Sequence, residues 1–170
     1  TIGVQTNDIK KNITTCIKTF THNQNKIELL EKVESIHTLP VAIDYNYFSD
    51  HSRRLKNTAK SEAHPHLFTF LGVDRLDPIK GLKEKVQGYE SYLEHYPQAH
   101  GSVQLKQFII PTRENCDIYK KYKDELFTMI ESVNDRFSTP YWVPIDFYYY
   151  QMDENILIQS YLSSDALIVT

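Results

Sequence analysis

An α/β fold with a doubly wound parallel sheet is predicted from His66 to the end of the chain. Three observations predict it. Short apolar and aromatic runs recur at "HLFTFLGV", "SVQLKQFII", "YWVPIDFYY" and "ALIVT". Each of the first three is followed by apolar residues at helical spacing. The two kinds of segment alternate, which requires crossover connections and therefore parallel strands.

The elements follow in chain order. "IGVQT" (Ile2 to Thr6) predicts a short strand, and Ile9, Ile13, Cys16, Ile17 and Phe20 place an amphipathic helix over 8–20. The stretch from Ile27 to Leu39 reads both ways: Leu29, Leu30 and Val33 suit a helical turn, while "VESIHTLPVAI" looks extended. Pro40 pushes Leu39 out of the helical region. "SDHSRRLKNTAKSEAHPH" (Ser49 to His66) is polar and basic, and reads as a linker with room for one surface helix. His66 to Val73 is a buried strand. Leu82, Val86, Tyr89 and Leu93 then step along one helical face that stops near Pro97. Ser102 to Ile110 is the next strand. Tyr119, Tyr122, Leu126, Ile130, Val133 and Phe137 trace a long helix from about Asn115 to Phe137. Tyr141 to Tyr149, a short helix over Glu154 to Leu162, and the closing "ALIVT" complete the pattern.

Composition narrows the function. The chain has 170 residues, 41% of them hydrophobic, enough for a domain with a core. Its formal net charge is −3, with no basic excess of the kind that nucleic acid or an anionic membrane surface demands. No apolar run approaches the roughly 20 residues that span a bilayer. Two cysteines, Cys16 and Cys116, fit a reduced cytoplasmic protein better than a disulfide scaffold. The chain begins on "TIGVQT" without methionine and ends on a strand, so a piece of a longer protein is expected.

In open parallel sheets, ligands sit beyond the carboxyl ends of the strands. Three such loops stand out. "GVDRLDPIKG" (Gly72 to Gly81) puts Arg75 and Lys80 between a strand and a helix start. A helix N-terminus offers partial positive charge and free N–H groups. The guanidinium fork and the lysine ammonium add two full charges suited to phosphate. The competing reading is a solvated loop in which Arg75 pairs with Asp74 or Asp77. There is no GxGxxG and no Walker lysine pattern, so a dinucleotide or P-loop site has no support. In "IIPTREN", Arg113 stands before the long helix, placed to meet an anion, or else is a surface residue beside a capping Thr112 or Asn115. In "FYYYQMDENIL", Tyr148 to Tyr150 with Met152 and Asp153 can wall a base pocket or belong to core and rim.

Other candidates carry less. His64 and His66 lack the supporting carboxylate or cysteine cluster of a metal site. There is no GxSxG elbow. Cys116 has no neighbouring histidine to make it a nucleophile, and Asp165 reads as a turn or cap residue.

These segments, taken in order, resemble the trehalose-6-phosphate synthases, retaining glycosyltransferases of the two-domain GT-B type. "GVQT" resembles the family's "GFQT", and "LPVAIDYNYF" its "FPIGID…F" crossing. "LGVDRLDPIKG" is similar to the hallmark "VGVDRLDYIKG". "FIIPTRENCDIYKKYKDEL", "VNDRFSTPYWVPIDF" and "YLSSDALIVT" resemble "VAVPSR…Y…L", "INGRFGT…FVPIHF" and "YAVSDVCLVT". Four departures are visible: Pro78 for the hallmark tyrosine, Ala42 for the glycine of "GID", Tyr45 after Asp44, and Asp146 for a histidine.

The resemblance implies a fold, a reaction and roles. Residues 1–44 would be the end of the N-terminal, acceptor-side domain and the crossing. Residues 45–170 would be part of the Rossmann-like domain that binds the nucleotide sugar. Arg75 and Lys80 would hold the diphosphate of UDP-glucose and stabilise departing UDP. Arg113 would bind the phosphate of glucose 6-phosphate, and the turn from Met152 to Leu157 would approach the uridine, partly through backbone. No cofactor and no metal is implied, and no carboxylate nucleophile. A homo-oligomer or a trehalose synthase complex is the implied assembly. Without the acidic "DGMNLV…E" loop and the acceptor domain, the segment alone is expected not to turn over. Two alternatives stay open: a non-catalytic synthase-like module of a trehalose-phosphate phosphatase or regulatory subunit, and a different two-domain glycosyltransferase of the sucrose-phosphate or glycosylglycerol-phosphate synthase kind.

Overall fold

The structure, a computed structural model, describes residues 2–20, 36–58 and 67–170. It divides into two compact units, Thr1–Tyr47 and Phe48–Thr170. The expected division fell after residue 44.

In the first unit, β1 (Ile2–Val4), α1 (Asn7–Phe20) and β2 (Ile36–Thr38) form a β–α–β unit. β1 and β2 pair in parallel, with Ile2 opposite Ile36 and Val4 opposite Thr38. Thr6 begins α1: its hydroxyl accepts from the Ile9 N–H at 3.2 Å, and Asp8 in the first turn complements the helix dipole. Of the ambiguous stretch from Ile27 to Leu39, the part within the described residues is extended, and Ile36 is fully buried.

The division between the units falls inside α2 (Tyr45–Thr58). The first part of the expected linker is therefore helix. Asp44 caps it, accepting from the Tyr47 N–H at 3.0 Å. His64 and His66 lie outside the described residues.

The second unit holds a four-stranded, all-parallel sheet in the order β5–β4–β3–β6. Its elements are β3 (Phe68–Arg75), α3 (Leu82–His95), β4 (Val103–Ile110), α4 (Asp117–Phe137), β5 (Ile145–Tyr149), α5 (Glu154–Ser163) and β6 (Ala166–Leu167). The chain leaves β3 in one direction to β4 and β5, then returns to β3's other side at β6. Right-handed crossovers in opposite directions place α3 and α4 on one face and α5 on the other. The β3/β6 junction is therefore the point where the winding reverses.

The core lies under α3 and α4. Leu82, Val86, Tyr89 and Leu93 of α3 meet Leu126, Ile130 and Val133 of α4 over Val103, Leu105, Ile109 and Ile145 of the sheet. These are the apolar stripes that the sequence periodicity picks out.

Two of the element ends that differ from expectation have a plain physical reason. β3 runs on to Arg75 because Asp74 and Arg75 still pair with Ile109 and Ile110 of β4. β5 starts only at Ile145: Thr139 and Trp142 close a tight turn, and Pro144 has no N–H to give a ladder. Trp142 is instead buried as a peg, its indole N–H donating to the Val103 carbonyl at 2.7 Å.

Leu105, fully buried at the centre of the sheet, should be sensitive to truncation. Leu105→Ala is expected to cost about 2–5 kcal/mol in urea unfolding; a loss below about 1 kcal/mol would contradict this core.

Candidate functional site

The carboxyl edge of the second unit's sheet carries the β3–α3, β4–α4 and β5–α5 loops and the segment after β6. The first and last of these flank the winding reversal, where open α/β sheets bind ligands.

The β3–α3 connection alternates its side chains. Asp74 points inward, Arg75 is exposed, and Leu76 enters the core. Asp77 then caps a 3-10 turn over Pro78–Lys80, its carboxylate accepting from the Ile79 N–H at 3.2 Å. Gly81 ends that turn with φ 59° and ψ 32°, the left-handed region open to glycine at low cost. A Cβ there would also stand 3.2 Å from that of Thr170. The Thr170 hydroxyl donates to the Lys80 carbonyl, tying the segment after β6 to this loop. No side chain makes a capping hydrogen bond to the N-terminus of α3 at Gly81, a position whose free N–H groups and partial positive charge suit an anion.

Neither acid of the motif neutralises the basic pair. Asp74 bonds the Lys85 ammonium at 2.6 Å, the two side chains being 10% and 1% exposed. The same Asp74 oxygen accepts from the Gln107 amide at 3.1 Å. Asp77 is spent on its cap. Among the described residues, neither the Arg75 guanidinium nor the Lys80 ammonium makes a hydrogen bond or an ion pair. Glu84, in the first turn of α3, is the nearest carboxylate to Gly81, 3.7 Å from where its Cβ would lie.

Arg113 follows β4, the strand beside β3. It is exposed, and it is the described non-glycine residue with positive φ, at 50°. Such a conformation is uncommon outside glycine, asparagine and aspartate and clusters at functional sites. Arg113 donates to the Tyr119 hydroxyl at 2.9 Å, and its guanidinium stands 5.3 Å from that ring's centre. The cap of α4 is Cys116, without a side-chain bond, so neither Thr112 nor Asn115 plays that part. Residues Pro111 to Cys116 line an open concavity of about 590 Å³.

The β5–α5 turn behaves differently. Asp153 caps α5, its carboxylate accepting from Asn155 N–H at 2.8 Å and its carbonyl from Leu157 N–H at 3.0 Å. Leu157's N–H is thus used inside the helix, and a backbone contact to a ligand falls to the residues before it. Met152 is half-buried. His51 of α2 lies 2.7 Å from the Asn155 amide oxygen and 3.3 Å from Glu154, which fixes this turn from outside.

The three tyrosines do not form one wall. Strand alternation sends Tyr148 onto Phe108, ring centres 4.8 Å apart, and Tyr149 to the opposite face against Phe127. Tyr149 donates to Glu114 at 3.0 Å, linking β5 to the Arg113 loop. Asp165 likewise has a structural part: its carboxylate accepts from Thr69 N–H at 2.8 Å, joining β6 to β3. Lys85, Gln107 and Tyr119 escape a reading of the sequence alone. A signal existed for two of them: Lys85 interrupts the apolar stripe of α3, and Gln107 sits between Leu105 and Ile109 on the core face.

The comparisons with known proteins agree with this fold. The sequence profile of glycosyltransferase family 20 matches residues 1–170. Alpha,alpha-trehalose-phosphate synthase [UDP-forming] of Schizosaccharomyces pombe is 31% identical over 150 residues, 86% of this chain and 29% of its own length. Two solved structures share the fold. One is the Burkholderia xenovorans alpha,alpha-trehalose-phosphate synthase (UDP-forming) in complex with glucose-6-phosphate, at TM-score 0.71 and 24% identity, covering 79% of this chain and 30% of that one. The other is an E. coli protein bound with UDP-2-fluoro glucose, at TM-score 0.73 and 21% identity, covering 99% and 39%. An α/β protein with a parallel sheet and basic groups at its winding reversal is thus the class defined by fold and site. The chain belongs to glycosyltransferase family 20. It spans about a third of the length of these relatives.

Among the described residues, no group of three or more His, Cys, Asp or Glu is placed to hold a metal ion, and no helix is long and apolar enough to cross a membrane.

The link between β5 and the Arg113 loop is open to test by pH. Burial first, then the Glu114 hydrogen bond, pushes the Tyr149 phenol up to about 12; burial and Asp146 do the same for Tyr148. The unfolded chain releases these protons near 10. Stability is therefore full below about pH 10 and falls as pH rises toward 12. Tyr149→Phe is expected to flatten that fall in denaturation curves taken across this window; an unchanged slope would contradict the Tyr149–Glu114 bond.

Proposed function

We propose that residues 45–170 of this chain are part of the donor-binding domain of a retaining glucosyltransferase, with residues 1–44 the end of its acceptor-side domain and the crossing. The enzyme moves glucose from UDP-glucose to glucose 6-phosphate, giving UDP and trehalose 6-phosphate. The observation that supports this best is the pair of cations, Arg75 and Lys80, left without acidic partners at the winding reversal.

The chemistry follows from charge. The bond from the sugar's anomeric carbon to the β-phosphate oxygen breaks, and its electron pair leaves with UDP. Negative charge grows on the diphosphate as the sugar becomes oxocarbenium-like. Cations and helix N–H groups fixed at that place bind the transition state more tightly than the ground state. A new bond forms from the anomeric carbon to the acceptor's hydroxyl oxygen, on the face the donor oxygen leaves. The acceptor's proton passes to the departing phosphate oxygen. No covalent enzyme intermediate is needed, and no metal or other cofactor enters the proposal.

Arg113 is assigned the phosphate of glucose 6-phosphate. Its left-handed backbone and the Tyr119 bond hold the guanidinium at the same edge of the sheet. The segment from Met152 to Leu157 is assigned the uridine, with any backbone contact falling to residues before Leu157. The free, exposed thiols of Cys16 and Cys116 support a reducing, cytoplasmic setting.

Two substitutions in the full-length protein separate these roles. Arg75→Ala is expected to lower kcat/KM for UDP-glucose by about 100-fold or more. Arg113→Ala should raise KM for glucose 6-phosphate about 10- to 100-fold while leaving that for UDP-glucose nearly unchanged. UDP release in a coupled assay measures both. Unaltered turnover in Arg75→Ala would sink the assignment and favour a non-catalytic module.

A further inference from the structure

A buried polar cluster lies beneath the β3–α3 connection. Lys85 is one of the least exposed charged residues, its side chain 1% accessible. Lysines are almost never buried this far unless paired. Its partner is Asp74, and one Asp74 oxygen takes both the Lys85 ammonium at 2.6 Å and the Gln107 amide at 3.1 Å. That amide also donates to the Phe108 carbonyl at 3.1 Å. The Gln107 carbonyl oxygen is buried without a partner. It occupies space opened by Gly72, where a Cβ would stand 2.0 Å away.

Three elements thus converge on one carboxylate: β3 through Asp74, α3 through Lys85 and β4 through Gln107. Stability alone does not explain them. A buried ion pair is often matched or surpassed by apolar residues of similar volume, and an orphaned acceptor adds cost. The neighbouring inward positions, Leu105, Ile109, Leu82 and Val86, are all apolar. What a charged pair supplies and an apolar pair does not is direction. It sets how far α3 slides and turns relative to β3. The segment that contains Arg75 and Lys80 runs between the two paired residues, Asp74 and Lys85. Lys85 also cancels the charge of the carboxylate next to Arg75, which would otherwise oppose an anion at the same edge.

We propose that Asp74, Lys85 and Gln107 form a positioning network that sets Arg75 and Lys80 against the departing diphosphate. This rests on the reading of those cations given above. Its effect falls on kcat more than on KM, because the charge to be met develops in the transition state.

The test uses the full-length protein and UDP-glucose. The double variant Asp74→Asn/Lys85→Met removes both charges at similar volume, so no lone charge is left buried. It is expected to unfold near the wild-type temperature, with kcat lowered about tenfold or more and KM for UDP-glucose changed less than about threefold. Lys85→Arg keeps the charged pair and should hold kcat within about threefold of wild type. A folded double variant with wild-type kcat, measured beside an impaired Arg75→Ala, overturns the network while the cation reading stands. If Arg75→Ala and Lys80→Ala are also unimpaired, the cation reading falls and takes the network with it. Should the double variant not fold, Gln107→Met reads the third arm: kcat lowered at least about threefold supports the network, and unchanged kcat overturns it.

Discussion

The carboxylate of Asp74 is the constraint on which the site depends. It lies beside Arg75 in sequence, and a loop folded for charge neutrality would bring the two together. The strand instead turns Asp74 inward, where Lys85 meets it at 2.6 Å. Asp77 is diverted as well, into capping the 3-10 turn. Both acids of the motif are thus engaged within the fold, Asp74 by the Lys85 and Gln107 side chains and Asp77 by the Ile79 N–H, and both bases are left to the edge of the sheet. A solvated loop whose charges cancel has no use for a buried lysine beneath it.

Topology makes that edge a place for an anion. The chain winds outward from β3 through β4 to β5, then crosses back to β6. In open α/β sheets such a reversal is where ligands bind, beyond the carboxyl ends of the strands. Gly81 lets the chain turn from the 3-10 segment straight into α3, and no side chain makes a capping hydrogen bond to that helix. The Thr170 hydroxyl reaches the Lys80 carbonyl from the segment after β6.

Much of this was legible in the sequence. The alternation of apolar runs and helical stripes predicts a parallel, doubly wound sheet, and β3, α3, β4 and α4 lie within a few residues of their expected places. Apolar periodicity reports burial directly, which is why Leu82, Val86, Leu126 and Ile130 were readable. Where the reading stops, the cause is physical. Lys85 and Gln107 are polar residues at inward positions, and only their partners across the fold explain them. Tyr148 to Tyr150 look like a cluster in one dimension, but a strand sends neighbours to opposite faces. The helix over Tyr45–Thr58 was legible only as room for one surface helix in a linker, because its composition is polar and basic. Its cap at Asp44 and the contacts of His51 show what holds it. The positive φ of Arg113 has no sequence signature, since arginine carries no preference for that region.

The most direct measurement is a structure of the full-length protein with UDP bound. The account predicts the diphosphate at the mouth between β3 and β6, with the Arg75 guanidinium and the Lys80 ammonium about 2.7–3.2 Å from its oxygens. The Asp74–Lys85 pair should remain closed beneath them. A diphosphate bound elsewhere on the molecule, with Arg75 and Lys80 still facing solvent, would contradict it.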